Sequence, residues 1–158
     1  MPVQTLVTVD AEVVTQPVAA RDALFRARQS RLPSVLVVDD ERLVRWSVAE
    51  TLGAHGYQVT EAGSGAAALE ALLSPPGTTD VVLLDLLLPD YCDLSLLAEI
   101  RGMAPGVPVI MMTAFATPEL VERARQLGAF TVINKPFDMN ELVPLISQAL
   151  LAAGLGRS

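Results

Sequence analysis

The sequence predicts an α/β domain built on an open, doubly wound sheet of five parallel strands. Three continuous apolar runs, 34–38, 81–85 and 107–113, have the length and branched side chains of fully buried parallel strands. Five strand-like segments alternate with segments of helical periodicity from Ser34 onward. Parallel strands need crossover connections, and helical crossovers on both faces of a sheet produce this architecture.

The first two strand–helix pairs are predicted at the start of the domain. SVLVV (34–38) precedes a helical segment on which Trp46 is expected to pack in the core or against a helix. The alternating run YQVTEA (57–62) predicts the second strand, and Ser64 is placed to cap the helix that follows.

The third and fourth pairs follow the same alternation. VVLLD (81–85) predicts the third strand, and Asp93 is placed to cap the next helix. VPVIMMT (107–113) predicts the fourth strand. The next helix is expected to begin with Thr117 as its cap and Pro118 at its first position.

The fifth pair completes the predicted domain. FTVIN (130–134) predicts the last strand, and Asp138 and Glu141 have the spacing of a capping box at the start of the last helix. Pro144 lies beyond the first turn of that helix, where it removes a main-chain donor. We therefore expect a kink at this proline.

The predicted domain spans 34–153, between a leader at 1–33 and a tail at 154–158. VQTLVTVDAEVVT alternates with period two and could form an edge strand, whereas PVAARDALFRARQSR could form a short basic helix. A flexible leader is the preferred interpretation, and the edge strand with a short helix is the alternative. The chain stops soon after the last predicted helix, as expected of a stand-alone domain or of a fragment of a longer protein.

Composition narrows the class of protein. A length of 158 residues suits one domain with a proper core. The net charge of −7 argues against a nucleic-acid or anionic-membrane surface. The single cysteine, Cys92, is expected to be a partly buried loop thiol and excludes an internal disulfide. With no apolar run of membrane-spanning length, these features predict a cytoplasmic protein.

Polar residues follow the predicted strands at their carboxyl ends, where open parallel sheets bind ligands. They are Asp39 and Asp40 after the first strand, Asp85 in the third, Thr113 in the fourth, and Lys135, the only lysine, after the fifth. Three clustered carboxylates repel one another, so the pKa of at least one should rise unless a divalent cation such as Mg²⁺ is bound. The set predicts a phosphoryl-transfer site with a carboxylate nucleophile. Each residue also has a simpler interpretation. Asp39 and Asp40 could be an acidic helix N-terminus, and Asp85 could be a turn residue. Thr113 could only end its strand, and Lys135 could be a surface lysine.

Four motifs in order, VLVVDDE, LLDLLLPD, MMTAFA and INKPFD, resemble the receiver domain of bacterial two-component response regulators. The resemblance covers about Pro33 to Leu151. DDERLVRWSVAETL and TAFAT are most similar to the receivers of nitrogen-regulator-type transcriptional activators. The resemblance implies a (βα)5 flavodoxin-like fold with strand order 2-1-3-4-5.

The resemblance also implies a metal site for Mg²⁺ around a phosphoacceptor. Asp85 would be the phosphoacceptor and a metal ligand. Asp40 would be the main acidic ligand, with Asp39 acting partly through water and the backbone carbonyl of Leu87 completing the protein ligands.

Thr113 would, by the same resemblance, hydrogen-bond the phosphoryl oxygens. Lys135 would pair with the phosphate or with Asp85, and a cis bond to Pro136 would direct its side chain into the site. The implied phosphoryl donor is a sensor histidine kinase. The implied output face is the fourth helix, fifth strand and fifth helix, with a possible homodimer there and no direct nucleic-acid binding by this domain.

Two departures from the family pattern leave alternatives open. Val132 stands where the family has a switch aromatic, so a non-switching interaction module is one alternative. Asp93 replaces a common glycine. A less favoured alternative is an aspartyl-phosphate hydrolase, which would want a second carboxylate where Leu87 stands. We further expect Leu87 and Phe115 to shelter the acyl phosphate and give slow self-dephosphorylation.

Overall fold

The computed structural model describes residues 18–20, 22, 23, 26, 31–73, 75 and 77–154. The chain divides into two compact units, Met1–Arg31 and Leu32–Ser158. In the first unit, residues 18–20, 22, 23 and 26 are helical and fall in the predicted basic helix, while the predicted edge strand lies outside the described residues. None of the described helices is long and apolar enough to cross a membrane.

The second unit contains a five-stranded parallel sheet with strand order β2-β1-β3-β4-β5, which confirms the predicted fold. Each strand is followed by one helix along the chain. The strands are β1 (Ser34–Val38), β2 (Gln58–Ala62), β3 (Val81–Asp85), β4 (Val109–Thr113) and β5 (Thr131–Asn134). The helices are α1 (Arg42–Ala54), α2 (Gly65–Leu73), α3 (Ser95–Met103), α4 (Pro118–Gln126) and α5 (Met139–Ala152).

Apolar side chains cover both faces of the sheet, which explains the continuous apolar runs in β1, β3 and β4. Because successive side chains on a strand point to opposite faces, Val35 and Val37 pack on one side and Leu36 and Val38 on the other. The first side is completed by α1 and α5, and the second by α2, α3 and α4. The central strands are therefore fixed between two apolar layers, and only their ends are available for polar chemistry.

Side-chain caps begin three helices as the sequence predicts. The Ser64 hydroxyl accepts a hydrogen bond from the Ala67 amide at 3.1 Å, and Thr117 caps α4 with Pro118 in its first turn. Asp138 caps α5 by accepting from the Asn140 amide at 2.9 Å. Helix α5 continues through Pro144 to Ala152.

Two environments differ from the sequence-based expectation. The Trp46 side chain is 60% exposed, because α1 turns Val48 and Leu52 toward the sheet and each residue advances about 100° around a helix. Two residues before Val48, Trp46 therefore lies on the opposite face of α1. Cys92 is exposed rather than partly buried, since it lies in the loop between β3 and α3.

Asp93 lies one residue before Leu94, which is the cap residue of α3. Its Oδ1 accepts a hydrogen bond from the Ser95 amide at 2.9 Å, while Leu94 occupies the cap position itself. A carboxylate at this end of a helix is favourable, because the helix N-terminus carries partial positive charge. The prediction that Asp93 is the cap residue is therefore wrong by one position, although its carboxylate still favours the start of α3 from just outside the helix.

Candidate functional site

Three carboxylates meet at the carboxyl ends of the two central strands. Asp39, Asp40 and Asp85 each offer an oxygen, and these oxygens lie within 4.8 Å of one another. The register of the sheet causes this, because Val38 of β1 lies level with Leu84 of β3 and the chain then continues into Asp39 and Asp85. Asp39 and Asp85 are buried, whereas Asp40 is exposed.

The single lysine lies against two of these carboxylates. Lys135 Nζ is 3.0 Å from Asp85 Oδ2 and also donates to Asp39 Oδ2. Its main-chain amide donates to the Thr113 carbonyl at 2.8 Å, which holds Lys135 at the end of β4. The Lys135–Pro136 peptide bond is cis, as predicted.

Burial and charge shift the pKa values of the two partners at the centre of the site. Burial, together with the nearby charge of Asp39, raises the pKa of Asp85 despite its hydrogen bond from Lys135. Burial alone would lower the pKa of Lys135, but its hydrogen bonds to the two carboxylates outweigh this and raise the pKa. The predicted rise of one carboxylate pKa therefore falls on Asp85.

Asp39 and Asp40 have different surroundings. Asp39 donates its amide to the Ala62 carbonyl at 3.1 Å, and its Oδ1 accepts from the Glu41 amide at 2.9 Å. Its Oδ2 accepts from Lys135, so both carboxylate oxygens already have protein partners. Asp40 carries the exposed carboxylate of the cluster. Oxygen ligands with one open side suit Mg²⁺, which keeps several waters.

Two loop amides contact the polar atoms of the site. The Leu87 amide donates to Asp85 Oδ1 at 3.2 Å, and the Phe115 amide donates to Thr113 Oγ1 at 3.2 Å. The Leu87 and Phe115 side chains are 54% and 78% exposed, beside the buried Asp85 and Thr113. These are the positions that the sequence assigned to sheltering the site.

The loop between β3 and α3 is tied to α2 by contacts that the sequence reading missed. Asp90 accepts hydrogen bonds from the Gly65 and Ala66 amides at 2.8 and 2.9 Å. The Tyr91 ring packs so closely on Gly65 that a Cβ there would lie 2.2 Å from the ring, and its hydroxyl donates to Glu99 at 2.8 Å. The only signal in the sequence was Asp90 directly after Pro89. That signal did not indicate the partners of Asp90, because they lie 24 and 25 residues away.

Val132 lies behind Thr113 in a tightly packed region. Both residues line a small space between β4, β5 and α4 that is too narrow to admit a water molecule, together with Leu86, Leu94, Met111, Leu120 and Ala124. Two residues after Val132 on the same strand, the Asn134 side chain accepts from the Ala116 amide at 3.1 Å. Asn134 therefore links the loop after β4 to β5, and the sequence analysis did not predict this role.

An open α/β sheet with an aspartate-centred acidic pocket and a single lysine at its strand ends has the architecture of signalling phosphoacceptor domains, and its pocket lies at the edge where such sheets bind ligands. Residues 35–147 match the response regulator receiver domain family, and the chain belongs to that family. The family resemblance read from the four motifs is thereby confirmed.

Curated relatives include DNA-binding transcriptional regulators. NtrC of Escherichia coli (strain K12) is 40% identical over 116 residues, which are 73% of this chain and 24% of NtrC. The transcriptional regulatory protein PdtaR of Mycobacterium tuberculosis (strain ATCC 25618 / H37Rv) is 36% identical over 139 residues, which are 87% of this chain and 63% of PdtaR. The chain thus spans about a quarter of the length of NtrC.

Solved structures agree with the fold. The receiver domain of NtrX from Brucella abortus has 33% identity and a TM-score of 0.68, covering 74% of this chain and 98% of that chain. A CheY-like receiver domain protein from Methanospirillum hungatei JF-1 has 28% identity and a TM-score of 0.72, covering 78% and 97%. Domains of this family are signalling phosphoacceptors that interact with histidine kinases and generally bind Mg²⁺ at an acidic pocket.

Proposed function

We propose that this chain is the phosphoacceptor switch of a two-component phosphorelay, and that Asp85 receives the phosphoryl group from a sensor histidine kinase. The observation that carries the proposal is the contact of Lys135 with the buried Asp85, beside two further carboxylates. A structural ion pair alone would not need three carboxylates around one lysine. An acceptor of phosphate needs both a nucleophilic oxygen and a cation beside it.

In the proposed reaction an Asp85 oxygen forms a bond to phosphorus while the bond from phosphorus to the donor histidine nitrogen breaks. The nitrogen keeps the bonding electrons, and the product is an acyl phosphate on Asp85. Lys135 Nζ, 3.0 Å from Oδ2, offsets negative charge on the transferring group. The Thr113 hydroxyl, at the end of the neighbouring strand, is assigned to a phosphoryl oxygen.

Mg²⁺ is the proposed cofactor, with Asp39, Asp40, Asp85 and the Leu87 carbonyl as the protein groups around it. Three carboxylate oxygens within 4.8 Å fit a hard cation that prefers oxygen ligands. A bound Mg²⁺ would neutralise charge that accumulates on the phosphoryl oxygens. Because Asp39 is already held by Lys135 and Glu41, we assign it a share through water and assign direct ligation to Asp40.

Phosphorylation would become a signal through a change of charge at the strand ends. It adds nearly two negative charges and three acceptor oxygens beside Thr113 and Lys135. A shift from mostly inactive to mostly active requires about 5 kcal/mol of differential stabilisation. The proposed output face is α4, β5 and α5, where a homodimer could form. We place the protein in the cytoplasm and its output in transcription regulation, without direct nucleic-acid binding by this domain.

The boundaries proposed for this activity are a leader at 1–33, the receiver domain at 34–153 and a tail at 154–158. The predicted start falls at the first residue of β1. The predicted end follows the last residue of α5 by one position.

The test is the intact mass of the protein after incubation with acetyl phosphate, with and without Mg²⁺. We expect one Mg²⁺-dependent phosphoryl adduct, and none in an Asp85→Asn variant. An adduct that persists in this variant would move the acceptor to another residue. No adduct in folded wild-type protein, also after incubation with its phosphorylated kinase, would contradict the proposal.

A second candidate is a receiver that binds its partner constitutively, and Val132 is the observation that favours it. A valine has no ring that could move into the space behind Thr113, and the space itself does not admit water. Partner binding or oligomeric state measured with and without phosphorylation separates the candidates. The switch requires a difference that disappears in Asp85→Asn, whereas the constitutive module requires none.

A further inference from the structure

Arg45 is directed toward the acidic turn from the first half of α1. Its Nη1 donates to the main-chain carbonyl of Asp39 at 2.6 Å. Its Nε lies 3.4 Å from Glu61 Oε1 on the neighbouring strand β2, and the side chain is only 18% exposed. Helical side chains lean toward the helix N-terminus, which brings this guanidinium back over the chain segment that precedes α1.

The contact with Asp39 constrains the direction in which Asp40 leaves the strand. The bound carbonyl belongs to the peptide unit that joins Asp39 to Asp40, and a peptide unit is planar and rigid. Fixing that carbonyl therefore fixes the plane from which the Asp40 Cα departs. Asp40 is the exposed carboxylate of the cluster, so its direction is not fixed by burial.

Two residues, Glu61 and Gly63, lie against the guanidinium, although its buried Nε donates no hydrogen bond to any of the described residues. Glu61 balances its charge, and the chain turns at Gly63 directly beside it. A Cβ at Gly63 would lie 3.2 Å from Arg45 Nη1, which is closer than ordinary van der Waals contact. A glycine at the end of β2 thus leaves room for an arginine whose other contacts are at the end of β1.

We propose that Arg45 is a positioning residue for the metal site, which it serves by fixing the Asp39–Asp40 peptide. The inference rests on the proposed Mg²⁺-dependent function. It assigns a role to a residue outside the carboxylate cluster. Glu61 and Gly63 then support the metal site through their contacts with Arg45. Groups that orient metal ligands from behind commonly change metal affinity about 10- to 100-fold when they are removed.

Charge alone predicts the opposite result, and this difference makes the proposal testable. Removal of a cation near an acidic cluster should strengthen cation binding, because one repulsive charge is lost. Loss of a positioning contact should weaken it. Arg42→Met is the matched control, since Arg42 is an exposed arginine on the same helix.

The experiment is a calorimetric Mg²⁺ titration of the wild-type chain, Arg45→Met, Arg45→Lys and Arg42→Met, with folding checked by circular dichroism. We expect Arg45→Met to weaken Mg²⁺ binding about 10-fold, Arg45→Lys to restore part of the affinity, and Arg42→Met to leave it unchanged or tighter. At saturating Mg²⁺, Arg45→Met should still reach the full acetyl phosphate adduct. Exchange of the Glu41 amide, which hydrogen-bonds to Asp39, should become faster in metal-free Arg45→Met.

Unchanged or tighter Mg²⁺ binding in folded Arg45→Met would overturn the inference and leave the proposed function intact. If Arg45→Met does not fold, Glu61→Gln and Gly63→Ala test the same support, and unchanged Mg²⁺ affinity in both would overturn it. Wild-type protein that binds no Mg²⁺ would overturn the metal-dependent function, and this inference with it. The wild-type titration therefore distinguishes failure of the Arg45 inference from failure of the proposed Mg²⁺-dependent function.

Discussion

Lys135 Nζ lies 3.0 Å from Asp85 Oδ2, although the two residues are 50 positions apart in the chain. The same ammonium also contacts Asp39, so one cation is shared by two buried carboxylates. One positive charge cannot fully offset two negative charges, and the pKa of Asp85 stays above its ordinary value, chiefly because of burial. The metal-free site is therefore short of positive charge.

Replacement of Asp85 by asparagine should stabilise the metal-free protein at pH 7. Because the pKa of Asp85 is raised in the folded state, the folded protein holds this proton more tightly, and stability falls as pH rises through the folded-state pKa. A neutral amide at this position would remove that cost. Urea unfolding in EDTA should give a higher free energy of unfolding for Asp85→Asn than for wild type.

Added Mg²⁺ should reverse this order. At 100 times its dissociation constant, a ligand that binds only the folded state adds about 2.7 kcal/mol, and Asp85→Asn should gain less. Glu50→Gln is the control, because Glu50 is an exposed carboxylate beyond the first turn of α1, and it should change neither the free energy of unfolding in EDTA nor the gain with Mg²⁺. An Asp85→Asn protein that is less stable than wild type in EDTA would contradict the charge shortage.

The contact of Asp90 with the Gly65 and Ala66 amides, here called the Asp90 clasp, should make the free energy of unfolding depend on pH in the acid range. Hydrogen bonds from the Gly65 and Ala66 amides lower the pKa of Asp90 in the folded state. The ionised Asp90 carboxylate therefore contributes to the free energy of unfolding above its unfolded-state pKa of about 3.9. This contribution is lost as pH falls through the lower folded-state pKa. Asp90→Asn should be less stable than wild type at pH 7, and the difference should shrink toward pH 3.

This comparison needs urea unfolding of Asp90→Asn, wild type and Glu70→Gln at several pH values. Glu70 is an exposed carboxylate on the same helix, α2, and its replacement should not reproduce the effect. A difference between Asp90→Asn and wild type that is equal at pH 7 and pH 3 would exclude the hydrogen-bonded carboxylate as its cause.

The exposed apolar pair at the start of α1 should affect the kinase reaction alone. Leu43 and Trp46 are 80% and 60% exposed and directly follow the acidic turn. Large exposed aromatic residues commonly act as anchors at protein interfaces, and loss of one costs about 2 kcal/mol or more of binding. Trp46→Ala should lower the rate of phosphoryl transfer from the kinase at subsaturating concentration by about tenfold or more.

Phosphorylation of Trp46→Ala by acetyl phosphate should be unchanged, because that donor is too small to contact α1 and the site together. Leu73→Ala, which removes an exposed leucine at the end of α2, is the matched control. Equal loss with both donors would indicate damage to the site rather than to a docking surface.

Leu87 and Phe115 should slow the loss of phosphate from Asp85. Their amides contact Asp85 and Thr113, while their exposed side chains lie at the border between the site and solvent. Leu87→Ala and Phe115→Ala should shorten the half-life of the acyl phosphate, because water gains access to it. The measurement is the decay of the phosphoryl adduct by intact mass after removal of the donor. No change in either variant would refute the shielding role.

Val132 should contribute to stability and not to the phosphorylation response. It packs beside Leu120 and Thr113 around a space without room for water, so Val132→Ala should cost about 1–3 kcal/mol of unfolding free energy. The phosphorylation-dependent change in partner binding should survive Val132→Ala and be lost in Thr113→Ala. If Val132→Ala abolishes the response while Asp85 is still phosphorylated, valine takes part in switching in place of the aromatic.

The sheet and the polar groups at its edge could be predicted from the order of residues along the chain. Continuous apolar runs predict strands buried on both faces, and their order along the chain fixes Asp39, Asp85 and Thr113 at the carboxyl ends. The single lysine stands out by composition alone. These features are local, because strand periodicity and strand ends are read from neighbouring residues.

The contacts between distant segments became visible only in the folded structure. The clasp of Asp90 on α2, the bond from Arg45 to the Asp39 carbonyl and the exposure of Trp46 depend on the orientation of helices against the sheet. Hydrophobic periodicity predicts that a helix packs, but burial is non-directional and leaves polar contacts between distant segments undetermined. Directional hydrogen bonds form only once packing has placed donor and acceptor within about 3 Å, so no local pattern of residues records them.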